Sequence, residues 1–343
     1  MARVSLLGAL LFITPSVSTL VPGAFTSPSF LFLLGDDIGW ADFSFPNNGT
    51  AHSPNLRAWA QRAGSIYLQD FHTGGTVCSP TRATVLTGRN HFRDCVNFVD
   101  FCSDMTECVS DFEFAPRRTF TIGDAVRAAN KNYTSFFGGK WHLGSLYNDS
   151  ESFGGLTSTP QTHGFDHFNA TVEVSPTATT NCECNAAWQG SCDYGHYGNP
   201  ATGGAGYSKL CAGGQGPDPD AAKGCCFNYW ADDAAAPHGT SNFTSPTPDD
   251  DATYNADAFV RFLESRNGAP FLAHVSFHNC HIPFIGTPTH RTACNSSAEC
   301  EASLPGAPAY NDMELDYYAC LNELDNSVGT VLDALVRHGY YGA

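Results

Sequence analysis

The stretch SFLFLLGDDIGW, residues 29–40, runs through five apolar residues after its serine and then reaches glycine, two aspartates, isoleucine and a second glycine. A short continuous apolar run of this kind predicts a strand buried on both faces that delivers its carboxyl end into a loop. Helix and strand signals then alternate along the chain. SPNLRAWAQRAG, residues 53–64, offers serine at a cap position, proline at the first helical position and glycine as a stop. RTFTIGDAVRAANKNYTSFFGGKWHLG, from residue 118, repeats the logic with a threonine-capped helix over about 121–130, an aromatic strand around Tyr133 to Phe137 and a glycine-rich turn. A helix near 252–266 then precedes APFLAHVSFHNCHIPF, a strand running toward a proline. The last element, about 312–338, places Leu321, Leu324, Val328, Val331, Leu332 and Leu335 on one helical face ahead of Gly339. Such alternation predicts an α/β fold with a central, mostly parallel sheet flanked by helices. Between about 174 and 250 the pattern fails, and six cysteines among Gly, Pro, Ala and Asp read as a stapled insertion.

Composition narrows the partners. The 343 residues, 42% hydrophobic and 15% charged, are globular in character and suffice for one large domain or two smaller ones. A formal charge of −17 repels a phosphate backbone and argues against nucleic acid, so an anionic substrate requires a locally positive site. Residues 1–18 carry one arginine, a short apolar stretch and small residues at the end, which reads as a signal peptide, and later apolar runs are too short for a membrane span. Six sequons, at Asn48, Asn132, Asn148, Asn169, Asn242 and Asn295, agree with glycosylation along a route to secretion or a lysosome-like compartment through the endoplasmic reticulum. In that oxidising setting most of the 14 cysteines are expected to pair, while Cys78 stands apart from the others.

Three short stretches carry chemistry. In CSPTRATVLTGR, residues 78–89, Pro80 suits a first helical turn and Gly88 a stop, which sets Cys78 and Ser79 beside a helix amino terminus with the guanidinium of Arg82. Such a thiol is expected to have a lowered pKa and to oxidise readily. Asp36 and Asp37, between flexible glycines at the end of a buried strand, form a candidate site for a hard divalent cation. In GGKWHLG, residues 138–144, Lys140 and His142 share a face if the chain stays extended, opposite Trp141 and Leu143.

Cys78-Ser79-Pro80-Thr81-Arg82, continued by Ala83-Thr84-Val85-Leu86-Thr87-Gly88-Arg89, resembles the signature of type I sulfatases, the arylsulfatase-like, formylglycine-dependent family. The resemblance implies an alkaline-phosphatase-like fold over 29–343 and oxidation of Cys78 by the formylglycine-generating enzyme. It implies that one hydroxyl of the hydrated aldehyde attacks sulfur and that the other later expels the bound sulfate. Asp36 and Asp37 match the family's metal ligands, together with residue 78, and the implied metal is calcium, with magnesium second. Lys140 matches a sulfate-contacting lysine and His142 a histidine that helps deprotonate the diol. His281 matches the His-x-Pro position that contacts sulfate and helps protonate the leaving oxygen, whereas His274 and His278 have no counterpart and are expected to pack or lie at the surface. The implied substrates are sulfated carbohydrate or an aryl sulfate. Together with the metal, these positive groups could stabilise charge on a leaving oxygen.

The match covers the amino-terminal part of the family's domain. Family members continue into a strand with an Asp-Asn pair that completes the metal site, which leads to the expectation of a chain truncated at its carboxyl end with weak metal affinity. Asp325-Asn326, inside the last helix, is expected at the surface. Two alternatives stay open: a phosphate or phosphonate ester hydrolase on the same fold, and a non-catalytic secreted glycan binder.

Overall fold

The computed structural model describes residues 12–14, 27–43, 53–94, 96, 119–143, 159–171, 228–233, 239–244, 251–281, 290 and 312–341. Among these, seven strands form one sheet: β1 (Phe12–Thr14), β2 (Ser29–Leu34), β3 (Thr134–Lys140), β4 (His167–Thr171), β5 (Asn228–Asp233), β6 (Gly239–Thr244) and β7 (Phe271–Ser276), in the order β1-β2-β7-β3-β4-β5-β6. The four strands β2, β7, β3 and β4 run parallel, with Leu31 opposite Ala273 and Phe136 opposite both Ala273 and His167. β1, β5 and β6 are antiparallel additions at the two edges. β1 falls within the leader-like residues, and β5 and β6 come from the stretch expected to be an irregular insertion. The sequences NYWADD and GTSNFT carry no sustained apolar run, so side-chain pattern alone does not reveal these strands.

The helices are α1 (Pro54–Ala60), α2 (Cys78–Thr87), α3 (Ile122–Ala129), α4 (Asp251–Glu264) and α5 (Asp312–Arg337). Strand alternation divides the core into two layers. Leu31, Leu33, Phe136, Phe271, Ala273 and Val275 face α4, α5 and Trp59 of α1. Phe137, Phe168, Ala170 and Leu272 face the other way, onto Ala83 and Leu86 of α2 and partly buried Ile122 and Val126 of α3. All six residues of β7 are buried, as its place between β2 and β3 requires. Full burial of each large apolar side chain there stabilises the fold by roughly 1.5–3 kcal/mol. Thr121 closes a capping box with Asp124 at the start of α3, and Gly88 takes the left-handed conformation after α2, in line with the helix start and stop signals of the sequence.

Two expectations are corrected. Asp325 is fully buried, while Asn326 beside it is exposed. The reason is a cap supplied across the fold: Ser53 makes no capping bond from its side chain, and Asp325 of α5 instead accepts from the backbone N–H groups of Asn55 (3.0 Å) and Leu56 (2.8 Å) in the first turn of α1. Asn169 is the second, since it is buried on β4 and its side-chain amide nitrogen, the atom a glycan would take, donates to the hydroxyl of Tyr254 at 3.1 Å. Asn132 is exposed. Asn242 lies on β6, and Asn48, Asn148 and Asn295 lie outside the described residues.

Replacing Asp325 by alanine strands two partly buried donors and removes the cap, so Asp325→Ala is expected to cost roughly 1–2 kcal/mol of unfolding free energy. Chemical denaturation reads this directly, as a lower midpoint with an unchanged slope.

Candidate active site

The site forms where the carboxyl ends of β2, β7 and β3 lie side by side, the usual place for ligands in an open parallel sheet. Backbone hydrogen bonds carry the pairing beyond the strands: Phe277 N–H donates to Leu34 O (2.8 Å), Asp36 N–H to Asn279 O (3.0 Å) and Cys280 N–H to Asp36 O (2.8 Å). The segment bearing His281 is thereby fixed against the segment bearing Asp36 and Asp37. α2 enters from the other face, with Cys78 at its first turn after Val77 in an extended conformation.

Asp36 is buried at the centre. Its carboxylate hydrogen-bonds Lys140 Nζ, lies 3.4 Å from a terminal guanidinium nitrogen of Arg82 and accepts from Cys78 Sγ at 3.6 Å. Burial alone would raise its pKa, but the charges of Lys140, Arg82 and His281, with the Lys140 hydrogen bond, outweigh it and hold the carboxyl well below the usual range. Asp37 is half-exposed, in a left-handed backbone conformation, with its carboxylate 3.5 Å from His281 Nε2. Burial and then the charge of Asp36 push its pKa up, against the opposing pull of Lys140 and Arg82. For Cys78 the expectation of a lowered pKa is corrected: burial raises the thiol, with the Asp36 and Asp37 carboxylates adding to it, and together they overcome Lys140 and Arg82.

Arg82 holds more than the sequence indicates. Its guanidinium donates to the backbone carbonyl of Lys140 (2.8 Å) and to the Ser276 hydroxyl, besides facing Asp36. Ser276 is absent from the sequence-based candidates, although a hydroxyl closing a β7 that is otherwise apolar apart from His274 is the signal that could find it. Gly139 has φ of +84°, and a Cβ there would lie 1.9 Å from Ser276 O, so only glycine lets β3 approach β7 at this point.

Lys140, Asp36, Arg82, Cys78 and His281 come together. His142 takes a different course from the one expected. β3 ends at Lys140 and His142 adopts φ of +52°, so the alternation that would put both side chains on one face does not operate. His142 is buried, as is Trp141. His274 and His278 are packing residues: His274 stacks on Phe137 (5.0 Å between ring centres), and His278 Nε2 lies 2.7 Å from Thr171 Oγ1.

The ligand atoms of Asp36, Cys78 and His281 lie within 4.8 Å of one another. As a thiol, position 78 makes a mixed S/N/O set with Asp36 and His281; with an oxygen in place of sulfur, it and Asp36 become donors suited to a hard divalent cation, while Asp37 lies outside this group of three, against His281. Arg82 and Lys140 balance the two carboxylates, so the −17 of the whole chain does not extend into the site.

A mostly parallel sheet between helix layers, with Cys78, paired aspartates and cations at its strand ends, defines an alkaline-phosphatase-like α/β sandwich. The family model described as Sulfatase matches residues 28–342, and the chain belongs to that family. Human Arylsulfatase G is 26% identical over 312 residues, covering 89% of this chain and 48% of the relative. Mouse N-acetylgalactosamine-6-sulfatase is 28% identical over 162 residues, 46% of this chain and 28% of the relative. The chain spans about half the length of the Arylsulfatase G relatives it matches. Among solved structures, Ps i-CgsB in complex with k-i-k-neocarrahexaose superposes with a TM-score of 0.57 at 17% identity, covering 91% of this chain and 55% of that one. BT4656 in complex with its substrate D-glucosamine-2-N,6-O-disulfate gives 0.52 at 13% identity, with 90% and 62% covered.

Burial and Arg82 lower the pKa of His274 to about 3, below its ordinary value near 6.5. A base whose folded pKa is depressed contributes stability above the unfolded pKa and loses it as pH falls, here by about 1.4 kcal/mol per pH unit from pH 6.5 toward the folded value. Between pH 6 and 4 the unfolding free energy of His274→Phe is therefore expected to fall less steeply than that of the parent. Denaturation midpoints measured across that range check the slope.

Proposed function

We propose that the protein hydrolyses sulfate esters of carbohydrates, with residue 78 oxidised to formylglycine as the nucleophile. The observation that carries this reading is the buried contact of Asp36 with Lys140, Arg82 and Cys78 at three strand ends of a Sulfatase-family chain. Support for a sugar substrate comes from the N-acetylgalactosamine-6-sulfatase relative and the disulfated glucosamine substrate of a structural neighbour.

Asp36, Asp37 and the oxygen of residue 78 would hold a divalent cation, calcium first and magnesium second, which when bound polarises a sulfate oxygen and offsets its charge. Lys140 and Arg82 present fixed positive charge to the sulfate without reorganising, because both are buried and already hydrogen-bonded. His281, with the Asp37 carboxylate 3.5 Å from its Nε2, would give a proton to the leaving oxygen. His142 is buried and is not among the residues gathered at the strand ends, so a proton-accepting role for it rests on the family resemblance alone. Oxidation of residue 78 would call on the formylglycine-generating enzyme of the endoplasmic reticulum, a route that the leader-like residues 1–18 and a secreted or lysosome-like destination support. Among the described residues, no helix is long and apolar enough to cross a membrane.

The test is release of sulfate from an aryl sulfate by the full chain, alongside a matched phosphate monoester. Sulfate is expected to be turned over faster, with activity lost on chelation and restored by calcium. Cys78→Ala is expected to abolish turnover, and His281→Gln to lower kcat by about 10²-fold, the scale for one transition-state hydrogen-bonding group. Faster phosphate release, or unchanged turnover in Cys78→Ala, would overturn the reading.

A further inference from the structure

Two cysteines beside the site take no part in the proposed hydrolysis. Cys280, which directly precedes His281, and Cys320 of α5 are both buried in the same apolar layer. Both are free thiols in the structure, and the side-chain amide of Asn279, the residue before Cys280, donates to Cys320 Sγ at 3.4 Å. Burial, then the contact with Cys320, pushes the Cys280 thiol far up, which makes it a poor nucleophile in the folded chain.

We propose that Cys280 and Cys320 are joined in the mature protein by an intramolecular disulfide that ties the segment after β7 to α5. The inference rests on the secretory reading of the chain, since such bonds form and persist in oxidising compartments. Each thiol gives up one proton and one electron as the sulfur–sulfur bond forms. The disulfide of a protein oxidant or of oxidised glutathione accepts both pairs and is cleaved to two thiols. Exchange of this kind needs an accessible thiolate, so the bond forms before the core closes over the pair.

The position of the bond has a consequence for the site. Cys280 N–H donates to Asp36 O and Asn279 O accepts from Asp36 N–H, so the clipped segment is the one that fixes the Asp36 backbone and carries His281. A covalent link to α5, a helix packed on the sheet, holds that segment in place when the sulfate site is empty or loaded. It also assigns one pairing out of the many that 14 cysteines permit.

Peptide mapping tests this without relying on turnover. The full chain, produced through the endoplasmic reticulum of a eukaryotic host, is alkylated in denaturant without reduction and cut with trypsin and an aspartate-directed protease. Cys280 then lies in the peptide 267–291 and Cys320 in 316–324, each with no second cysteine. A species joining these two peptides that disappears on reduction is the expected result. Alkylation of both cysteines, or linkage of either to Cys294, Cys300 or any other cysteine, would overturn the proposal. A chain without sulfate-releasing activity that still shows the joined peptides would separate failure of the functional reading from failure of this one.

Discussion

One buried guanidinium organises the region on which function depends. Arg82 reaches Asp36 after β2, the carbonyl of Lys140 at the end of β3 and the hydroxyl of Ser276 at the end of β7, so a single side chain from α2 fastens three neighbouring strand ends. A buried arginine costs least when its charge is answered and most of its donors are paired, and here, among the described residues, only Nε is left without a partner. Asp36 answers the charge, and Lys140 joins the same carboxylate. Removing any member leaves an uncompensated buried charge, so these residues act as one unit. Gly139 belongs to it as well, because the close approach of β3 to β7 excludes any side chain at that position.

That unit resolves the electrostatic contradiction raised by composition. An acidic chain cannot attract an anionic ester by its overall field, yet within the site two cations face two carboxylates, the Asp36 pKa held low by those cations and the Asp37 pKa pushed up by burial and by Asp36. A divalent cation added there tips the local balance to positive, and the interior position limits screening by salt. Preorganisation comes from the same contacts, since the donors are already oriented by strand ends and helix packing.

Much of this is legible in the sequence. The apolar run before Gly35, the capping residue Thr121, the Gly88 stop and the apolar stripe of α5 all produce the elements they imply, because each signal is local and agrees with burial. The Cys78–Arg89 stretch yields both the helix and the residue at its start. Long-range facts are not legible. Asp325 has the setting of a surface residue in an amphipathic helix, but its partner is the amino terminus of α1, far away in the chain. Strict alternation of Lys140 and His142 breaks because the backbone turns left-handed at Gly139 and again at His142. A helix amino terminus favours a lowered thiol pKa at Cys78, whereas burial decides the opposite. β5 and β6 pair by backbone at the sheet edge and leave little trace in side-chain pattern.

The chemistry turns on residue 78. Every other group in the site can serve a phosphate ester or a bound glycan, so the proposed sulfatase chemistry stands or falls with an oxidised residue 78. Mass spectrometry of the peptide containing residue 78, from protein that has passed through the endoplasmic reticulum, measures this directly. Formylglycine at that position is the predicted result, and a cysteine found there unmodified or joined in a disulfide would contradict it.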